Sequence, residues 1–148
     1  IVIENTRLDE TQKEASTAKI SNSVLIENSA GQAGGALHLT SIPQFEITET
    51  LLGENHAKKG SGGAIFYQCE TKDCEWTLGP SLEFRRNTAD DNGGAVSWID
   101  VKPKIVDSIN YNENKATYAS DLAGIPAAIV RVASSEVNSV TLPDPTEL

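Results

Sequence analysis

The sequence predicts an all-β fold: a parallel β-helix of about five coils, with three short strands per coil. Three observations predict it. A large apolar residue recurs three positions before an asparagine, and an alanine follows two positions after it. A Gly-Gly-Ala block follows three of these asparagines at almost constant distance. Between the blocks, apolar and polar residues alternate over short runs, which is the period of half-buried strands and not of helices.

The first pattern reads Leu25-Ile26-Glu27-Asn28-Ser29-Ala30, Leu52-Gly53-Glu54-Asn55-His56-Ala57, Phe84-Arg85-Arg86-Asn87-Thr88-Ala89 and Tyr111-Asn112-Glu113-Asn114-Lys115-Ala116. The asparagines are 27, 32 and 27 residues apart. The second block reads Gly34-Gly35-Ala36-Leu37, Gly62-Gly63-Ala64-Ile65 and Gly93-Gly94-Ala95-Val96. Its second glycine falls 7, 8 and 7 positions after the asparagine, and the fourth copy has Ser120-Asp121-Leu122-Ala123 in its place. The long middle spacing reads as insertions on a regular scaffold: one residue before the glycines and an excursion at Cys69 and Cys74. A weaker copy, with Val2 three before Asn5, reads as a terminal repeat.

Short alternating pairs mark the strands: Leu37 and Leu39, Phe45 and Ile47, Ile65 and Tyr67, Leu82 and Phe84, Val96 and Trp98, Ile109 and Tyr111. Gly, Asn, Asp, Ser and Pro punctuate them. One domain over residues 1–148 follows, with a partial coil at 1–22, repeat coils at 23–123, and a C-terminal coil and exit segment at 124–148. Strands in equivalent positions would stack in parallel about 4.8 Å apart. Asn28, Asn55, Asn87 and Asn114 would then form a hydrogen-bonded ladder, and asparagine tolerates the left-handed backbone that corners need. Gly34, Gly35, Gly62, Gly63, Gly93 and Gly94 would let the chain turn against the neighbouring coil.

Gly-Gly-Ala-Ile paired with Phe-x-x-Asn resembles the repeat of the chlamydial polymorphic outer membrane proteins, and of similar surface proteins of protists, ciliates included. The resemblance covers about residues 25–123. Leu37 and Val96 replace the isoleucine of the block, and Leu or Tyr replaces the phenylalanine except at Phe84. It implies a right-handed, pectin-lyase-like β-helix at a cell surface, in adhesins or passenger domains. Such folds host both enzymes and inert stalks, so the site must decide function.

A net charge of -9 and a pI near 4.6 leave no basic footprint for nucleic acid. No run of 18 apolar residues is present, so no membrane insertion is expected; the longest apolar stretch, 125–133, is interrupted by Pro126 and Arg131. The chain starts at Ile1 and has no methionine, which reads as a processed chain or a piece of a longer one. Cys69 and Cys74 lie five positions apart in a polar segment, and a local disulfide closing a loop is expected, with two unpaired thiols as the alternative. This favours an extracellular or cell-surface location. None of the ten asparagines lies in an Asn-x-Ser/Thr sequon.

Residues for chemistry are few. Asp90-Asp91 reads as a solvated acidic turn before Gly93, with a metal or catalytic pair as the alternative. Glu70, Asp73 and Glu75 decorate the cysteine loop at a spacing that matches no calcium loop. His38 and His56 have no nucleophile motif beside them and read as surface histidines. Trp98 alternates with Val96 and belongs at the core or a coil edge, whereas Trp76 is expected to cover the cysteine loop. No catalytic, metal or cofactor constellation emerges, so a structural or adhesive module is expected, not an enzyme. The alternatives are a carbohydrate-binding module and, behind it, a polysaccharide lyase or hydrolase. The expected partners are identical subunits or adjacent β domains through open helix ends, with glycans as possible ligands. The N-terminal Ile1-Val2-Ile3 and the apolar 128–132 segment look like uncapped strands, and Pro143-Asp144-Pro145 reads as an exit from the body.

Overall fold

A computed structural model describes residues 1–4, 17–70 and 73–125. Within them all regular structure is β, and every strand pairing is parallel. The first coil carries β1 (Val2–Glu4), β2 (Thr17–Ser21), β3 (Val24–Ile26) and β4 (Ser29–Ala30). The second carries β5 (Leu37–Thr40), β6 (Gln44–Thr48), β7 (Leu51–Gly53) and β8 (His56–Ala57). The third carries β9 (Ile65–Gln68), β10 (Glu75–Leu78), β11 (Glu83–Arg85) and β12 (Thr88–Asn92). The fourth carries β13 (Val96–Ile99), β14 (Lys104–Ile105), β15 (Asn110–Asn112) and β16 (Lys115–Tyr118), and β17 (Leu122–Ile125) begins a fifth. Corresponding strands of successive coils pair, giving sheets β1-β5-β9-β13-β17, β2-β6-β10-β14, β3-β7-β11-β15 and β4-β8-β12-β16. This is a parallel β-helix.

Two counts differ from expectation. The described residues make about four turns, not five, and each turn has four short strands, not three. The extra strand arises because the third is broken just before each asparagine. Glu27, Glu54, Arg86 and Glu113 hold φ of 57°, 56°, 51° and 54°. A left-handed residue bends the strand sharply and divides it between two sheets. The asparagines themselves are not left-handed, so the conformational role assigned to them belongs to the residue before.

The interior is built from columns. Leu25, Leu52, Phe84 and Tyr111 are in register, as are Ala30, Ala57, Ala89 and Ala116. Leu37, Ile65, Val96 and Leu122 form a third column, and Ile20, Ile47 and Leu78 a fourth. Leu37, Ile47, Leu52, Ile65, Leu78, Phe84 and Val96 have no exposed surface. Burying each is worth about 1.5–3 kcal/mol. Phe84 stacks on Tyr111 of the next coil at 5.5 Å, along the column direction, and Tyr67 stacks on Trp76 at 4.5 Å within the third coil, across adjoining sheets.

Two alignments are corrected by pairing. Val2–Glu4 pairs with His38–Thr40, so it is a strand of the sheet that follows the glycines, not a copy of the asparagine pattern. Asn5 and the C-terminal strand and exit segment lie outside the described residues. The fourth glycine-block equivalent is Ala119-Ser120-Asp121-Leu122, because Val96 pairs with Leu122 and Gly94 N–H donates to the Ala119 carbonyl. Ala119 takes the left-handed place of the first glycine, with φ 53°. The middle coil also carries an insertion that the sequence did not reveal: Leu78 to Glu83 is set against the shorter Ile47 to Leu51.

Candidate functional site

The left-handed residue before each asparagine removes one backbone pairing. The N–H groups of Glu27, Glu54 and Arg86 reach the carbonyls of Gly53, Arg85 and Asn112 in the next coil, and those of His56, Thr88 and Lys115 reach back to Asn28, Asn55 and Asn87. The asparagine N–H between them has no carbonyl opposite. The next coil's side chain supplies the acceptor. Asn28 donates its backbone N–H and its Nδ2 to Asn55 Oδ1 at 3.0 and 2.9 Å. Asn55 does the same to Asn87 Oδ1, and Asn87 to Asn114 Oδ1, at 2.9–3.0 Å. The second Nδ2 hydrogen of Asn55, Asn87 and Asn114 goes to the carbonyls of Leu25, Leu52 and Phe84 in the preceding coil. Each interior carboxamide is thus saturated, as burial demands; Asn55 and Asn87 have no exposed surface.

The run has a direction. From rung to rung, the backbone N–H and one Nδ2 hydrogen always point to the next carboxamide oxygen on the C-terminal side. At the last rung the Nδ2 of Asn114 meets the Asp121 carboxylate at 3.0 Å. Asp121 occupies the place that Ala36, Ala64 and Ala95 fill in earlier coils. Sequence reasoning missed it. The signal was present as the departure of the fourth copy from Gly-Gly-Ala, which reads as decay of a repeat until the pairing shows what the carboxylate reaches.

The glycine corners do two different jobs. Gly34, Gly62 and Gly93 are left-handed, with φ 69°, 71° and 61°. Gly35, Gly63 and Gly94 are needed for space. A Cβ at Gly63 would collide with the Gly94 carbonyl oxygen and sit 2.6 Å from that of Thr88. Cys69 and Cys74 form a disulfide with Cα atoms 6.3 Å apart, on the loop between β9 and β10. Both half-cystines turn inward and are buried.

The remaining candidates are scattered. Asp90 and Asp91 lie on β12, not in a turn, where the register slips between Ala89 and Asn92. Asp90 accepts from the Lys59 N–H at 3.0 Å and faces His56 Nε2 at 3.4 Å. The Lys59 bond and then His56 hold its carboxyl below the usual range. Both side chains are solvent-exposed beside a shallow hollow lined by Thr88, Ala89, Lys115, Ala116 and Thr117. Glu70, Asp73 and Glu75 are exposed, and among the described residues no three metal-ligating side chains converge. His38 points outward with its ring against Phe66 at 5.0 Å. Trp98 is half-buried at the coil edge. Trp76 does not cover the cysteine loop. It is a core residue, 1% exposed, and its Nε1 donates to the Val101 carbonyl at 2.7 Å. It sits on β10 with its phase set by pairing to Phe45.

Tyr67 and Tyr111 respond to alkali. Burial pushes both hydroxyls up to about 12, with Asp121 adding to Tyr111. The Tyr67 hydroxyl donates to the Ile42 carbonyl at 2.6 Å. An acid whose folded pKa is raised contributes full stability below its unfolded pKa, near 10, and loses it as pH rises toward the folded value. Unfolding free energy should therefore hold to about pH 10 and fall by roughly 2–3 kcal/mol per buried tyrosine as pH approaches 12. Urea melts at pH 8 to 11.5 check this, and Tyr67→Phe should flatten the decline; an unchanged slope would exclude Tyr67.

No protein-family model, curated protein or solved structure matches the chain.

Proposed function

We propose that this chain is an extracellular structural or adhesive module of a surface coat, stalk or filament, packing end to end with other β structure. One observation carries this: among the described residues the core reaches the surface at both ends. Ala18, Ile20 and Leu25 of the first coil are only partly covered, and so are Trp98, Val101, Ile109, Tyr111 and Leu122 of the last. Open strand edges beside apolar surface invite pairing. The asparagine ladder and the glycine corners keep the coils in register, a role in shape and not in chemistry. The disulfide fits an oxidising compartment. Among the described residues no helix is long and apolar enough to cross a membrane.

Hydroxyl-radical footprinting of the 148-residue chain tests the openness of the ends. Leu25, Trp98 and Tyr111 should be oxidised several-fold faster than Trp76, Tyr67 and Phe84. Equal protection of both groups would mean that the chain covers its own ends, and end packing would be abandoned. Turnover of pectins, alginates or other glycans by the same sample would likewise replace a structural role with an enzymatic one.

A further inference from the structure

The two ends are not chemically equivalent. Among the described residues Asn28, Asn55 and Asn87 each give the backbone N–H and one Nδ2 hydrogen to the carboxamide oxygen of the next asparagine toward the C-terminus. At the N-terminal end Asn28 is exposed, and no donor among the described residues reaches its Oδ1. At the C-terminal end the corresponding carboxamide donor is already engaged, because Asn114 Nδ2 is held by Asp121 and by the Phe84 carbonyl. A further coil placed there would bring its own carboxamide oxygen against the Asp121 carboxylate, acceptor against acceptor. A coil placed on the first would find an acceptor, two strand edges beside it in β3 and β4, and the half-covered Ala18, Ile20 and Leu25.

We propose that the N-terminal face is the docking end of this module, and that its partner is a parallel β-helix coil presenting a free asparagine carboxamide donor. That coil would give its backbone N–H and Nδ2 to Asn28 Oδ1, continue the β3 and β4 sheets, and cover the exposed core. At the other end of the described residues Asp121 terminates the carboxamide run. A second copy of this chain is therefore the wrong partner: its C-terminal face has no free asparagine carboxamide hydrogen to offer, one on Asn114 being held by Asp121 and the other by the Phe84 carbonyl. The inference rests on end-to-end packing as proposed above and adds its direction. It also fits the sheet geometry, because parallel addition leaves every strand and column in register, whereas two N-terminal faces brought together would run antiparallel.

The prediction uses the whole chain as its own probe. Asp121→Ala restores the residue found at the equivalent Ala36, Ala64 and Ala95 and frees the Asn114 donor. Asn28→Leu removes the acceptor. The wild-type chain then has an acceptor end only, and the double variant Asn28→Leu/Asp121→Ala a donor end only. In sedimentation equilibrium each should remain at the 15.8 kDa monomer, while their mixture forms a 1:1 complex of twice that mass and nothing larger. Asp121→Ala alone should form longer head-to-tail chains. Far-UV circular dichroism verifies folding, with Asp121→Gly replacing the alanine variant if that unfolds. Wild-type chains that oligomerise as readily as Asp121→Ala would overturn the polarity and leave end packing standing. A mixture that stays monomeric with both chains folded would overturn the inference. Footprinting of that sample then separates the two failures: oxidised ends keep end packing, and protected ends remove it as well.

Discussion

Asn87→Leu is expected to lower the unfolding free energy by about 4 kcal/mol, the largest loss of any polar substitution in the described body. The leucine matches the asparagine in size but has no polar atoms. The change leaves the Asn55 backbone N–H without its Asn87 Oδ1 acceptor and the Leu52 carbonyl without its Nδ2 donor. It also removes the Asn55 and Asn114 carboxamide contacts. A buried polar group stripped of its partner costs about 1–3 kcal/mol, and two such groups set the magnitude. Against a total stability of about 5–15 kcal/mol, the chain would be marginal. The comparison is Asn28→Leu, which removes the side chain of an exposed rung: Asn55 Oδ1 keeps the Asn28 backbone N–H, and the carbonyl of the exposed Ile26 can turn to water. That variant should lose under about 1.5 kcal/mol, the worth of an ordinary hydrogen bond. Urea unfolding of the pair decides the matter. Equal losses would mean that burial of the carboxamides is not what makes the run stabilising.

Gly63→Ala should cost about 3 kcal/mol or more, although the backbone of Gly63 is one that alanine can adopt. The added methyl group meets main chain, not a movable side chain. It would collide with the Gly94 carbonyl and lie 2.6 Å from the Thr88 carbonyl oxygen. Coil spacing is fixed by the parallel hydrogen bonds at about 4.8 Å, so relief requires parting the third and fourth coils locally. Gly31→Ala provides the control, because a Cβ there has no neighbour within 4 Å. Its effect should stay within about 0.5 kcal/mol. Thermal and urea melts of both variants test the assignment, and a neutral Gly63→Ala would show that the coils can separate without penalty.

Two lysine or arginine salt bridges between coils among the described residues, Lys19–Glu46 at 3.1 Å and Arg86–Glu54 at 2.8 Å, carry far less weight. Both are solvent-exposed and worth at most about 1 kcal/mol each. Stability resides in the interior columns, the saturated carboxamides and the close approach of coils at the glycines. None of these forms a recess for a substrate, which is why the ends, and not the lateral faces, carry the functional proposal.

The recurrence of Leu25, Leu52, Phe84 and Tyr111 three positions before an asparagine was enough to establish the solenoid, the inward column and the polar run beside it. A β-helix repeats one environment at one position per coil, so a local pattern states a tertiary contact directly. The paired glycines were legible for the same reason, and the disulfide followed from two nearby cysteines, although the polar segment around them pointed to a surface loop and not to the buried placement observed. What the pattern could not show lies where the repetition breaks. Trp76 follows an irregular loop, and with period-2 alternation a shift of one residue reverses its face; only pairing with Phe45 puts it inside. Val2 had no neighbouring coil in the sequence to fix its phase, and its place beside His38 emerged from the sheet. The left-handed residues Glu27, Glu54, Arg86 and Glu113 carry no local signal, since two residue types fill the position and neither favours that conformation. They are held there by the hydrogen bonds of the coils on either side. Asp121 looked like the loss of a repeat, and became the end of the asparagine run only when the fold brought it within 3.0 Å of Asn114. Sequence by itself determined what every coil shares; the tertiary structure decided what happens at the breaks and the ends, because there the partner is set by three-dimensional stacking and not by position in the repeat.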